Sequence, residues 1–202
     1  MATTGPRGQY AKTPQRRQEI LDAAFDVFAA NGYRGGSLRD IADRVGMSLA
    51  GLLHHFTTKS ELLSSVLTLR DDVTARRFGA LDGTAPGDET LRSYLHLITG
   101  NESVRGLAEL YCILSAEATA ADHPAHDYFV ERYKFVSGIV ERAFVDVAAQ
   151  GNLRPGVDPH QAAIDLIAIS DGIQLQWLLR PEVPTMGDSI RRYLESVTTL
   201  EF

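Results

Sequence analysis

A single cysteine, Cys112, stands in a chain of 202 residues. One thiol rules out an internal disulfide and any zinc site built on several cysteines. It lies within an apolar stretch that reads as helical, where cysteine behaves as a small core residue rather than half of a nucleophile pair. Alternating polar and apolar runs are missing, so no strand is expected, nor the glycine-rich phosphate loops that follow strands. The longest apolar region, Ala162 to Leu179, is broken by Asp165, Asp171, Gln174 and Gln176, and no membrane span is expected there. No apolar run follows the opening MATTGPRGQYAKTPQRR, so no signal peptide is expected and the cytoplasm is the expected compartment. Repeats and low-complexity segments are also lacking. Six histidines invite a metal reading, but the adjacent His54 and His55 diverge by about 100° on a helix. His123, His126 and Asp127 lack an evident fourth ligand. No metal, no cofactor and no enzyme activity are expected.

What is present is a soluble composition, 44% hydrophobic and 23% charged, with a net charge of −6. The charge is unevenly spread. Residues 1–60 carry eight Lys/Arg against five Asp/Glu, a balance of +3, while the remainder carries twelve against twenty-one, or −9. A basic end on an acidic body fits a protein that offers one end to a polyanion.

The stretch from Ser37 to Lys59 organises that basic end. Leu38, Ile41, Ala42 and Val45 recur at helical spacing behind an N-cap at Ser37, with Asp40 as a variant capping box. Gly46 can adopt the left-handed conformation that closes the helix, Met47 is a buried spacer, and Ser48 caps the next helix, Leu49 to Phe56. Two short helices joined by a glycine turn match a helix-turn-helix, whose second helix enters the major groove. An ordinary helical hairpin in a bundle fits the same pattern. Thr58-Lys59-Ser60-Glu61 is a further capping box, and Lys59 in a first helical turn is better tolerated beside a phosphate.

These residues resemble the TetR family of one-component transcriptional repressors. That family's motif runs roughly Gly-Val-Ser, two or three variable residues, Leu-Tyr-His-His-Phe, then Lys and a helix. The chain has Gly46-Met47-Ser48, Leu52-Leu53-His54-His55-Phe56 and Lys59. The match is specific over residues 13–63 and departs where the family's phosphate-touching tyrosine is replaced by Leu53. The expected groove-reading surface is Leu49, Ala50 and Gly51, with Ser37, Arg39, Ser48, His55 and Lys59 as phosphate anchors and Arg39 a further base reader. Arg16, Arg17 and Arg34 are placed near the DNA backbone or in solvent.

Along the chain, residues 1–12 read as a mobile arm carrying Arg7 and Lys12, and Thr13-Pro14 as a helix start. The first helix, faced by Ile20, Leu21, Ala24, Phe25 and Phe28, ends at Asn31-Gly32. A fourth helix runs from Lys59 to about Ala80 with Leu62, Val66, Leu69 and Val73 on one stripe, and a break follows at Gly83 to Gly87. Further helices are expected from Asp88, from about Ser103, from Pro124 to Gly151, from Asp158-Pro159 to Arg180-Pro181, and from about Gly187 after Pro184. The architecture expected is all-α, about nine helices, with a DNA-binding domain at 13–58 and a ligand-binding and dimerisation domain at 59–202.

The last two helices carry more apolar surface than one small bundle hides, which points to a partner. The resemblance implies that they pair with their copies in a homodimer. It also implies a small-molecule cavity among the fourth to eighth helices. Tyr94, Tyr111, Phe129, Tyr133 and Trp177 are its candidate walls, though such aromatics are more often core than ligand wall. Glu117 and Gln174 are its candidate polar hooks, for a largely apolar effector. The expected partners are thus a double-stranded operator, an effector and a second copy. An all-helical scaffold that touches no DNA is the alternative reading.

Overall fold

The computed structural model describes residues 7–79, 81, 83–180 and 185–202. Among them lie nine helices: α1 Arg7–Gly35, α2 Leu38–Arg44, α3 Leu49–His55, α4 Lys59–Phe78, α5 Gly87–Glu102, α6 Arg105–Glu117, α7 His126–Ala149, α8 Pro159–Leu179 and α9 Met186–Val197. Apart from one isolated bridge between Leu153 and Thr198, no extended pairing occurs among the described residues. The all-α expectation holds.

The boundaries follow local chemistry. Ser37 Oγ accepts the N–H groups of Arg39 and Asp40, Ser48 Oγ that of Gly51, and Thr58 Oγ1 that of Glu61, so each of α2, α3 and α4 starts on a side-chain cap. Gly46 has φ 64°, the left-handed turn expected between α2 and α3. Asp158 caps α8 with Pro159 in its first turn, as its dipeptide implies. The start of α1 differs from expectation. The backbone is helical from Arg7 and runs through Pro14, which lacks an N–H and so interrupts the ladder without ending the helix. Of the expected mobile arm, residues 1–6 and the side chains of Arg7 and Lys12 lie outside the described residues. So do Pro181, Pro184 and Ala80. The non-helical backbone at Gly32 (φ 69°) marks the expected break before α2.

Two cores form. The N-terminal core joins α1–α3 with the first two turns of α4, where Leu62, Leu63, Val66 and Leu67 are buried, and takes Leu110 and Leu114 from α6 and Phe129 from α7. The second core packs α5, α7, α8 and α9 around Leu91, Val140, Phe144, Leu166, Ile190 and Leu194. The two cores are therefore not divided at residue 58, because α4 and α6 both reach into the first. Helix α9 also departs from expectation. Its apolar residues Ile190 and Leu194 are spent on its own core, and Asp188, Arg191, Arg192 and Ser196 face out. Helix α8 keeps an uncovered apolar stripe, Ile164, Ala168, Leu175 and Leu179, at near-helical intervals on its outer face.

Candidate nucleic-acid interface and effector cavity

At the N-terminal end, Leu52 and Phe56 are buried and anchor α3 to the core. The opposite side of α3 therefore faces solvent: Ala50, Leu53 and His54 are exposed, and Leu49, Gly51 and His55 half-buried. The expected groove-reading residues thus lie at the open N-terminal end of a helix with no acidic residue in its first turn. Ser37 and Arg39 lie at the start of the neighbouring α2, with Arg39 exposed. Lys59 sits in the first turn of α4, its ammonium 4.5 Å from the Tyr33 ring centroid, and partial burial pushes its pKa down. Tyr33 also shares a 3.0 Å hydrogen bond with Ser60.

Two arginines expected near the DNA backbone or in solvent are held by the protein itself. Arg16 Nη2 donates to the Val45 carbonyl (2.6 Å) and Arg17 Nη1 to the His55 carbonyl (2.7 Å), at the C-terminal ends of α2 and α3. Cations at those ends complement the helix dipoles. Arg17 also lies over the Phe56 ring at 3.9 Å. Arg34 is exposed in the last turn of α1, just past the break at Gly32.

That break explains Glu117, which is not a hook of the cavity. Its carboxylate accepts the N–H groups of Tyr33 (2.7 Å) and Arg34 (3.3 Å), from 84 and 83 residues away in sequence. A β-carbon at Gly32 would sit 2.6 Å from Glu117 Oε1, so the left-handed glycine is what lets the carboxylate close on the break. His123 lies behind it, Nε2 3.5 Å from Glu117, with its ring edge-on to Tyr33 at 5.2 Å. Burial lowers the His123 pKa, and the nearby Glu117 opposes that shift. His126 Nδ1 is bonded to the Ala118 carbonyl at 2.8 Å, so both histidines are engaged in the link between α6 and α7.

Between α4, α5 and α7 opens a groove of about 630 Å³, lined largely by apolar groups such as Ala75, Leu81, Leu97, Phe135 and Val136. Behind it, toward α6 and α8, is an inner chamber of about 60 Å³. Tyr94, Tyr111, Tyr133 and Gln174 line that chamber, as the sequence led one to expect. Phe129 and Trp177 do not. Phe129 stands behind Tyr111 in the N-terminal core, with ring centroids 5.4 Å apart. Trp177 lies under the Arg105 guanidinium at 5.5 Å, on the edge of the second core.

The charged residues of the groove and chamber, Arg70, Asp71, Arg132 and Asp171, went unread as cavity groups in the sequence. Arg70 and Arg132 each donate through Nη1 to Asp71 Oδ1, at 3.0 and 2.9 Å, and Tyr128 OH donates to Asp71 Oδ2 at 2.8 Å. Burial pushes the Tyr128 pKa up to about 12. Tyr133 OH donates to Asp171 at 2.7 Å, and burial raises the pKa of that carboxyl despite the hydrogen bond. Tyr94 OH donates to Ser170, and Gln174 Nε2 to the Ala108 carbonyl and Cys112 Sγ. A signal existed: Arg70 follows Leu62 and Val66 at four-residue steps and Thr74 continues them. The buried stripe of α4 thus turns polar where it meets the cavity, in place of the expected Leu69 and Val73.

Short capped helices that project a solvent-facing second helix, mounted on a larger helical body with a cavity, define a helix-turn-helix DNA-binding regulator. A family model described as bacterial regulatory proteins of the tetR family matches residues 20–66, and one described as the C-terminal part of BetI-type transcriptional repressors matches residues 89–199. The chain is similar to the transcriptional repressor KstR2 of Mycobacterium tuberculosis, 32% identical over 193 residues that cover 90% of each protein. The solved KstR2 structure superposes with a TM-score of 0.70 at 25% identity, over 91% of this chain and 95% of that one. A Saccharomonospora viridis regulator solved with choline shares the fold, with a TM-score of 0.76 at 22% identity over 92% and 98% of the two chains. The chain belongs to the TetR family of transcriptional regulators, DNA-binding proteins rather than enzymes.

Proposed function

We propose that this regulator acts as a homodimeric repressor in the cytoplasm, which a small molecule entering the α4–α5–α7 groove releases from its operator. Residues 13–58 serve as the DNA-reading module and residues 59–202 as the effector and dimerisation module, with α4 common to both. Leu49, Ala50 and Gly51 read the groove, and Ser37, Arg39, Ser48, His55 and Lys59 hold phosphates. The observation that carries this reading is the continuity of α4: one helix begins at Lys59 and passes along the cavity wall at Asp71, Thr74 and Ala75 before ending at Phe78. A ligand that favours another tilt of α4 would change the spacing of two recognition helices that must match one duplex turn, ~34 Å. The outer stripe of α8 supports a two-fold pairing through that helix, since an uncovered apolar face on a capped helix calls for a partner. The neighbouring regulator solved with choline supports a small-molecule effector. The test is retention of the purified protein on its own promoter fragment as salt is raised. The reading expects sequence-selective binding by two copies per duplex, weakening steeply with salt. Salt-independent or absent retention would refute it.

A further inference from the structure

Resting on that effector reading, we infer that the effector is an amphipathic carboxylate, its apolar body in the outer groove and its anionic head between Arg132 and Arg70. Four buried side-chain polar atoms lack a hydrogen-bond partner among the described residues: Arg70 Nε, Thr74 Oγ1, Asn101 Oδ1 and His123 Nε2, the last with the Glu117 carboxylate 3.5 Å away. The first three belong to residues that line the groove or the chamber. An orphaned buried donor on a cation is costly unless something outside the protein completes it. The Arg70 side chain is only 5% exposed, and its guanidinium lies 4.8 Å over the Tyr111 ring with Nη1 tied to Asp71.

The charge arrangement selects the sign of the ligand. Asp71 already accepts from Arg70, Arg132 and Tyr128, so one carboxylate serves two guanidiniums. Of the other carboxylates on these walls, Asp171 is engaged by Tyr133 and burial works against its charged form, while Asp127 and Glu131 stand exposed on the outer groove, Glu131 paired with Lys134. A cationic head would meet two arginines, and the Tyr111 face that could hold it by cation–π contact is covered by Arg70. A carboxylate matches the planar fork of a guanidinium and can accept from Nε. Arg132 lines both the groove and the chamber, together with Leu81, Leu97 and Val136, so a head at Arg132 stays continuous with a body against those apolar walls. The inner space, about 60 Å³, suits a head group, and the groove of about 630 Å³ an aliphatic or aromatic body.

The test uses three probes with one body and different heads: octanoate, octanol and octyltrimethylammonium. Phenylbutyrate and its methyl ester form a second pair. Binding is measured by isothermal titration calorimetry on the full chain, and operator release by fluorescence anisotropy. The expected result is carboxylate binding at least about tenfold tighter than the neutral or cationic analogue, the size of one charge-assisted hydrogen bond. Arg70→Met and the less buried Arg132→Gln should each erase that preference while operator binding is kept. A neutral or cationic probe that binds as well as its carboxylate, or a preference that survives both substitutions, overturns the inference. No carboxylate binding up to about 1 mM also overturns it. Release by octanol or the ammonium probe alone would sink the anionic head and leave the effector-released repressor standing. Carboxylate binding without operator release would do the reverse.

Discussion

Replacing Glu117 tests how the effector body grips the DNA-reading end. The carboxylate accepts the Tyr33 and Arg34 N–H groups, and its side chain is 21% exposed, so solvent screens it little. A hydrogen bond to a charged group contributes about 1.5–3 kcal/mol and a neutral one about 0.5–1.5. Glu117→Gln keeps one acceptor oxygen, loses the charge, and should cost about 1 kcal/mol. Glu117→Ala leaves the Tyr33 N–H without its partner and should cost about 2–3 kcal/mol. For a chain of this size each kcal/mol moves Tm by about 2–4 °C. Thermal unfolding should therefore fall by about 2–4 °C for Gln and about 4–12 °C for Ala. Hydrogen exchange localises the effect: the Tyr33 and Arg34 amides should speed up while those of α8 do not. Acid adds a second signature. The folded His123 pKa lies below its ordinary 6.5, so just below that pH the unfolded chain binds more protons and stability falls with acidification toward the folded value. Glu117 holds that folded value up, so Glu117→Gln should widen the window to lower pH and deepen the loss. Unchanged exchange at Tyr33 and Arg34 in Glu117→Ala would refute the reasoning.

Other substitutions separate anchors from struts. Lys59→Ala should lower the slope of log affinity against log salt by about one unit per subunit, with sequence preference unchanged. A salt titration parallel to wild type would take Lys59 out of the interface. Arg17→Met removes the bond to the His55 carbonyl and the stacking on Phe56, and should cost about 2 kcal/mol of stability with no change in salt slope. A changed slope at unaltered stability would return Arg17 to the phosphates.

The helix-turn-helix was legible in the sequence because its signals are local. Ser37, Gly46, Ser48 and the Thr58–Glu61 pair act within four residues of themselves, and the structure uses each as a cap or turn. The cavity was half legible. Tyrosines and Gln174 announce themselves by composition, but an arginine on a helix reads as solvated. Only packing against Tyr111 and Asp71 makes Arg70 a buried group. Glu117 was legible as a carboxylate in need of a partner, while that partner, 84 residues away, was not. Trp177 and Phe129 misled because large aromatics mark core more often than ligand walls. The bonds of Arg16 and Arg17 were not legible because their acceptors are backbone carbonyls, which no side-chain pattern reveals.

The central claim, that the open N-terminal end of α3 reads DNA, is tested most directly by operator affinity of Gly51→Glu beside its thermal stability. Residue 51 is the third of α3, and a glutamate there completes a Ser-x-x-Glu capping box with Ser48. A β-carbon at 51 meets nothing nearer than Ser48 Oγ at 3.4 Å, so the fold should be as stable as wild type or more so. The new carboxylate faces the polyanion in both subunits, at about 1–3 kcal/mol each, a loss of ~30-fold or more in affinity. The account predicts a protein of undiminished Tm that no longer binds its operator; undiminished operator affinity in that protein would contradict it.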